Sequence, residues 1–266
     1  MPGHAVLESV IIVFVGLVLG SFATALSWRV ARNISWTGGR SQCPSCQAAL
    51  GFPDLVPLFS WLALKGRCRH CKAPIPVRYP LIELAVLAGC LGVYAAWGFT
   101  ASAFIIMAAL PFLAAMLVID IEQMILPDSL QTILAGLGLL FVGMQAFTGA
   151  AARLGQAPII FIFFHLCSAV FFAGAIWVAA KAVSILKKKD ALGFGDVKFF
   201  AVAGLWLGVL WLPCFMIIAG LMGMVCGLVW RLRREDRRFP FGPALILAFY
   251  ACLLLQGRGF SPFFAL

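Results

Sequence analysis

A hydrocarbon core about 30 Å thick is crossed by roughly 20 apolar residues in helical form. Runs of that kind recur along this chain at about 7–27, 81–99, 102–120, 129–148, 158–180, 197–212, 214–230 and 241–256. Lipid offers no partners to the backbone, so segments like these have to satisfy their own hydrogen bonds as helices. The pattern predicts an all-α polytopic membrane protein of about eight transmembrane helices. The sixth and seventh spans are short and are separated only by Pro213. Composition agrees: 63% of the residues are hydrophobic and 11% charged, whereas a soluble domain carries about a quarter of charged residues.

The charges divide by side. With eight spans, one set of connections (28–80, 121–128, 181–196 and 231–240) holds Arg29, Arg32, Arg40, Lys65, Arg67, Arg69, Lys72, Arg78, Lys181, Lys187, Lys188, Lys189, Arg231, Arg233, Arg234, Arg237 and Arg238. Lys198 lies just inside a span on that side, and only Arg153 and Arg258 fall opposite. Cytoplasmic loops carry the excess of Lys and Arg, so these connections are expected in the cytoplasm and both termini outside it. Seven spans would break the split. The net charge of +10 therefore reads as topology, with membrane lipids as partners. No nucleic-acid partner is expected, because the cations are scattered and no nucleic-acid-binding motif accompanies them. No cation precedes the first apolar run and no small-residue cleavage site is clear after it, so it reads as a retained helix rather than a signal peptide.

The loop over 28–80 is the one candidate for a module outside the membrane. It contains Cys43-Pro-Ser-Cys46 and Cys68-Arg-His-Cys71. Two C-x-x-C turns at this separation suit one tetrahedral Zn²⁺ site. The loop has few hydrophobes for a core of its own, so a metal would supply the missing order. A closed set of four thiolates makes the site structural. Redox pairs or disulfides are the competing readings and suit a reducing compartment poorly. His70 is an alternative ligand to one thiolate. Cys90, Cys167, Cys214, Cys226 and Cys252 stand alone in apolar runs and read as packing.

Acidic residues are few and selectively placed. Asp120 closes the apolar run Ala114-Ala-Met-Leu-Val-Ile-Asp120, and an ionisable group at membrane depth is a functional candidate. Asp196, in Gly193-Phe-Gly195-Asp196-Val-Lys198, begins the sixth span on the same side; alone it reads as a helix cap. Two carboxyls at one depth change the balance. Hydrolysis of a peptide bond needs a base to activate water and an acid to protonate the carbonyl oxygen or the leaving amine, and neighbouring carboxyls divide those roles by sharing a proton. Asp128, directly before the fourth span, reads as an N-cap. Glu122 stands near Asp120, and Glu83 enters the second span, paired with Arg78 or lining a polar site. Glu8, Asp54, Asp190, Glu235 and Asp236 read as solvated charges or helix-end partners. His165, on an aromatic helix, reads as structural. The chain divides into a first transmembrane helix at 1–27, the cytoplasmic loop with its zinc module at 28–80, and a transmembrane peptidase domain at 81–266.

Gly20-Ser-Phe22, the two C-x-x-C turns, Arg78-Tyr-Pro80 with Glu83, Ile119-Asp120 leading to Leu126-Pro-Asp128, Gly193-Phe-Gly-Asp196-Val-Lys198 and Phe241-Gly-Pro243 occur in that order along nearly the whole chain. Together they resemble the type IV prepilin peptidases, bifunctional leader peptidases and N-methyltransferases of pilus and type II secretion systems. The resemblance implies cleavage of the basic leader of prepilins or pseudopilins at the cytoplasmic face of the bacterial inner membrane. It also implies S-adenosylmethionine-dependent methylation of the new N-terminal residue, usually phenylalanine, and an aspartic pair formed here by Asp120 and Asp196. Arg78 and Glu83 are the candidates for contacting S-adenosylmethionine. Thr24 stands where the family usually has asparagine, and Glu122 where aspartate often follows the catalytic residue. A peptidase without methylation is a second reading. A proton-coupled transporter is a third, but it would place carboxylates near mid-bilayer on broken helices of paired repeats.

Overall fold

In a computed structural model the described residues are 2–148, 155, 157–187, 192–233 and 239–260. Arg153, Lys188, Lys189, Asp190, Arg234, Glu235, Asp236, Arg237 and Arg238 lie outside them. Every regular element among the described residues is helical: α1 (Pro2–Val30), α2 (Phe59–Ala63), α3 (Arg78–Trp97), α4 (Ala101–Gln123), α5 (Asp128–Phe147), α6 (Pro158–Lys187), α7 (Phe194–Leu207), α8 (Leu212–Arg233) and α9 (Gly242–Gly257), with short 3₁₀ turns at Phe52–Asp54 and Val209–Trp211.

Helices stand at all eight positions where the sequence has apolar runs. Six stretches are long and apolar enough to cross a membrane: His4–Val30, Arg78–Trp97, Ala101–Gln123, Asp128–Phe147, Pro158–Leu186 and Val209–Leu232. The other two, α7 and α9, have 14 and 16 residues, which at 1.5 Å per residue reach only about 21 and 24 Å. Their burial explains the difference. Val197, Phe199, Phe200 and every residue from Val202 to Leu207 are buried in α7, and a helix apolar all round belongs inside a protein. An apolar run of such length marks a core helix as readily as a span.

The chain forms two compact units. One comprises Met1–Phe99 with Met107–Ala115, the other Thr100–Ile106 with Met116–Leu266. In the first unit α1 packs on α3 through Gly16 and Gly20. A Cβ on Gly16 would fall 2.8 Å from Leu87 Cδ1 and 3.1 Å from its Cα; one on Gly20 would fall 2.9 Å from Glu83 Cα. Small residues four apart allow this backbone approach between membrane helices. The Tyr94 hydroxyl donates to Glu8 Oε2 at 2.7 Å and ties the far ends of the same two helices.

In the second unit α7 is the centre. Phe141 of α5 stacks on Trp206 at 5.0 Å, and Phe249 of α9 meets both Trp206 and Phe199 edge-on. The Trp206 indole donates to the Leu134 carbonyl at 2.9 Å, which satisfies the one polar atom of a fully buried ring. Gly204 lets α6 close in, since a Cβ there would lie 2.5 Å from the Ser168 carbonyl oxygen. His165 contributes as structure: its Nδ1 lies 2.8 Å from the Leu205 carbonyl oxygen and its ring packs on Phe161.

Candidate functional site

Asp120 belongs to the last turn of α4. The helix stops at Met124, which takes the left-handed conformation (φ 56°) and donates its N–H to the Asp120 carbonyl at 2.8 Å. The side chain of Asp120 is buried and needs donors, because an unpaired carboxyl away from water is costly. One comes from across the unit: Gly242, in the first turn of α9, donates its N–H to Asp120 Oδ2 at 2.9 Å. Only glycine fits there. A Cβ at 242 would stand 2.6 Å from that same oxygen and 2.9 Å from Leu126 Cδ2.

Asp196 is the third residue of α7. Its carboxylate lies back beside Gly193, the N-cap residue, with Oδ2 3.4 Å from where a Cβ there would stand, at the end of the helix whose dipole favours an anion. The carboxyl thus sits at the helix start, and it is within electrostatic reach of Asp120. The residues between them complete the frame. Gly195 approaches Leu126, with a Cβ there 3.3 Å from Leu126 Cβ. Gln131 of α5 is buried and donates through Nε2 to the carbonyls of both Leu126 and Gly195, each at 3.2 Å. The Asp120 turn, the start of α7 and the start of α9 therefore meet around Leu126.

Asp128 is placed otherwise than as a cap. It is the first residue of α5, the N-cap position falls to Pro127, and no side chain caps that end. The Asp128 carboxylate instead takes the Lys198 ammonium at 2.6 Å, with both side chains exposed. A lysine in the first turns of α7 offers a full charge where the free N–H groups of α5 offer fractions of one, so the ion pair wins. Glu83 is buried in α3 and accepts the Leu58 N–H at 2.8 Å, holding the residue that precedes α2. Arg78 opens α3 with its guanidinium over the Tyr79 ring at 5.3 Å. Sequence reasoning left Gly242 and Gln131 without a role. Phe241-Gly-Pro243 was visible as a motif, but only the fold shows which oxygen Gly242 serves.

The second cluster lies in the loop between α1 and α3. Cys43, Cys46, Cys68 and Cys71 bring their four Sγ atoms within 4.8 Å of one another, and Cys43 and Cys71 are 3.9 Å apart. Zn–S bonds of about 2.3 Å in a tetrahedron need S···S edges near 3.8 Å, so the donor set fits such an ion. Both turns have one construction. Cys43 donates to the Ala48 carbonyl and accepts from Gln47 N–H; Cys68 donates to Ala73 and accepts from Lys72 N–H. Gln47 and Lys72 both carry positive φ, 56° and 62°. The N–H of Cys46, opposed by burial and helped by the N–H of Ser45, brings the Cys43 thiol down to about 7. At Cys71 the Ala73 N–H pulls downward, but burial and the neighbouring sulfurs outweigh it and the thiol rises to about 11. Four such sulfurs cannot all be anionic without a cation among them. Between residues 31 and 77 the only buried residues are Cys43, Gly66 and Cys68, so the sulfurs are the nearest thing this segment has to a core.

Comparison with known proteins agrees with this layout. The bacterial Peptidase A24 N-terminal domain family matches residues 14–99, and the type IV leader peptidase family matches residues 107–228. A type 4 prepilin-like proteins leader peptide-processing enzyme of Escherichia coli is 34% identical over 262 residues, 91% of each chain. The chain belongs to the type IV leader peptidase family. Prepilin leader peptidase/N-methyltransferases of Pectobacterium carotovorum subsp. carotovorum and Burkholderia pseudomallei are 36% and 38% identical, over 85% of this chain and 77% and 69% of theirs. No solved structure matches the chain.

Proposed function

We propose that this protein is an intramembrane aspartic endopeptidase that removes the basic leader of type IV prepilins or type II secretion pseudopilins and then N-methylates the exposed residue. The observation that carries the reading is the buried Asp120 carboxyl, held by the Gly242 N–H, with Asp196 in electrostatic reach. Asp120 and Asp196 are the catalytic pair. Sharing one proton, they let one carboxylate draw a proton from water while the other, protonated, donates to the scissile carbonyl. When the tetrahedral diol collapses, the carboxyl that took the proton from water gives it to the leaving amine, and the other carboxylate recovers a proton from a diol hydroxyl, which restores the shared-proton pair.

Eight membrane passes, with α7 and α9 as short ones, put the basic loops and both carboxyls at the cytoplasmic face of the inner membrane, where a basic leader would remain. The four cysteines hold structural zinc and give the loop over 28–80 its order as a module between the first helix (1–27) and the peptidase region (81–266). S-adenosylmethionine supplies the methyl group to the new amine. Arg78 and Glu83 stand where the loop meets α3, and the buried Glu83 carboxylate suits a cationic ligand such as a sulfonium or the substrate amine.

The deciding assay gives purified enzyme a prepilin and labelled S-adenosylmethionine and scores cleavage and methylation separately. Asp120→Asn and Asp196→Asn are each expected to lower cleavage at least about 10²-fold, while methylation of a pre-cleaved pilin continues. Cleavage at the wild-type rate by either variant would remove the pair from the mechanism. Loss of methylation together with cleavage, in a folded variant, would join the two activities in one site.

A further inference from the structure

Among the described residues Gln131 Oε1 and Gln256 Oε1 are buried acceptors without a partner, and Gln131 is the one that stands beside the Asp120 and Asp196 segments. The residue is 4% exposed, and this oxygen has no hydrogen-bond partner among the described residues. The amide cannot be turned to relieve it. Nε2 faces two carbonyl oxygens, Leu126 and Gly195, at 3.2 Å each, and exchanging the two ends would set an acceptor against both. The amide is therefore oriented by what it donates to, and its oxygen is left over.

The two carbonyls it joins have unequal needs. Gly195 is the second residue of α7, adjacent to Asp196. Leu126 lies in the turn after α4, which has no helical partner for its carbonyl, and its side chain bounds the space around Gly242 and the Asp120 oxygen. One amide thus sets the separation between the segment that follows Asp120 and the segment that carries Asp196. An orphaned acceptor beside such a frame calls for a donor, and a single ordered water is the donor that a buried polar site of this kind retains.

We propose that Gln131 is a positioning residue for the peptidase: its Nε2 fixes the spacing of the Asp120 and Asp196 segments, and its Oε1 holds an ordered water beside them. This rests on Asp120 and Asp196 being the catalytic pair, and the test separates the two ideas. Gln131→Met keeps the length and most of the volume while removing both functions. It is expected to lower kcat for prepilin cleavage about tenfold to 10²-fold, as displacement of reacting groups by about an ångström does. KM should stay within about twofold, and methylation of pre-cleaved pilin should not change. Gln131→Glu keeps the shape but gives one proton donor only when protonated. Its cleavage should therefore recover toward acid pH, a change of profile that loss of packing alone would not produce.

Wild-type kcat in Gln131→Met, or a wild-type pH profile in Gln131→Glu, overturns the proposal if Asp120→Asn and Asp196→Asn are inactive beside them. If those two still cleave, it is the catalytic pair that fails. Should Gln131→Met not fold in detergent, the profile of Gln131→Glu decides alone.

Discussion

The carboxyl site and the cysteine loop are held in opposite ways. Around Asp120 and Asp196, order comes from close packing: Gly242 brings the Asp120 carboxyl nearer than a Cβ would leave room for, Gly195 sits tightly on Leu126, and further along α7 Gly204 does the same against α6. In the loop almost nothing is buried, and four sulfurs within 4.8 Å take the place of a core. Packing of the first kind is distributed, so many single changes would be absorbed while a few at the contacts would not. Order of the second kind is concentrated, and it goes when its ligands go.

The sharpest break in that comparison is Gly242→Ala. The new Cβ would have to displace the Asp120 carboxyl, 2.6 Å away, or move the start of α9. Cleavage is expected to fall about 10²-fold, with membrane insertion and zinc content unchanged; an alanine variant of normal kcat would show that the contact is softer than it looks.

Substituting Cys43, Cys46, Cys68 and Cys71 together by serine tests the other side. Zinc should fall from about one per chain to none. Amide exchange should rise throughout residues 31–77 while α5–α9 keep their protection, since metal-binding free energy is folding free energy for such a segment. Zinc retained without the four thiolates, or exchange spreading evenly through the helices, would erase the distinction drawn above.

How much of this the sequence carried differs between the two regions for a physical reason. Four cysteines in two C-x-x-C turns state a candidate ligand set, because the chemistry is in the residue type and the spacing, and the fold gathers their sulfurs within 4.8 Å. Asp120 stood out through the cost of a carboxyl at the end of an apolar run and Asp196 through its place at the same depth, and the fold brings the two within electrostatic reach. Gly242 was not, since a glycine's role depends on what lies opposite it, and that is settled only when α9 meets α4. Asp128 misled for a related reason: the rule for helix starts describes one helix, and the winning partner, Lys198, came from another. The lengths of α7 and α9 show the same limit, because an apolar run reads alike whether lipid or protein surrounds it.

The smallest effect concerns Asp54, which accepts the Arg69 guanidinium at 2.7 Å and the Gly51 N–H at 3.1 Å. Arg69 chiefly, with Gly51 helping against burial, holds its carboxyl below the ordinary range. A group so depressed stabilises the fold fully above the unfolded value of about 3.9 and loses that contribution as pH falls through the lower folded value. With Arg69 half exposed, Asp54→Asn should weaken the loop by less than about 1 kcal/mol. The loss should be measurable by exchange at neutral pH and absent in acid. A larger loss at neutral pH would mean that the loop leans on more than its sulfurs.

The N–H that steadies Asp120 lies 122 residues further along the chain, in α9. While the ribosome is still extending the protein, both carboxyls are already in the chain and the group that holds one of them is not. A nascent chain without α9 therefore carries both carboxyls with Asp120 not yet held. The contact between Gly242 and Asp120 can therefore form only after α9 has been added, and a chain cut short before residue 242 would expose the Asp120 carboxyl without its donor.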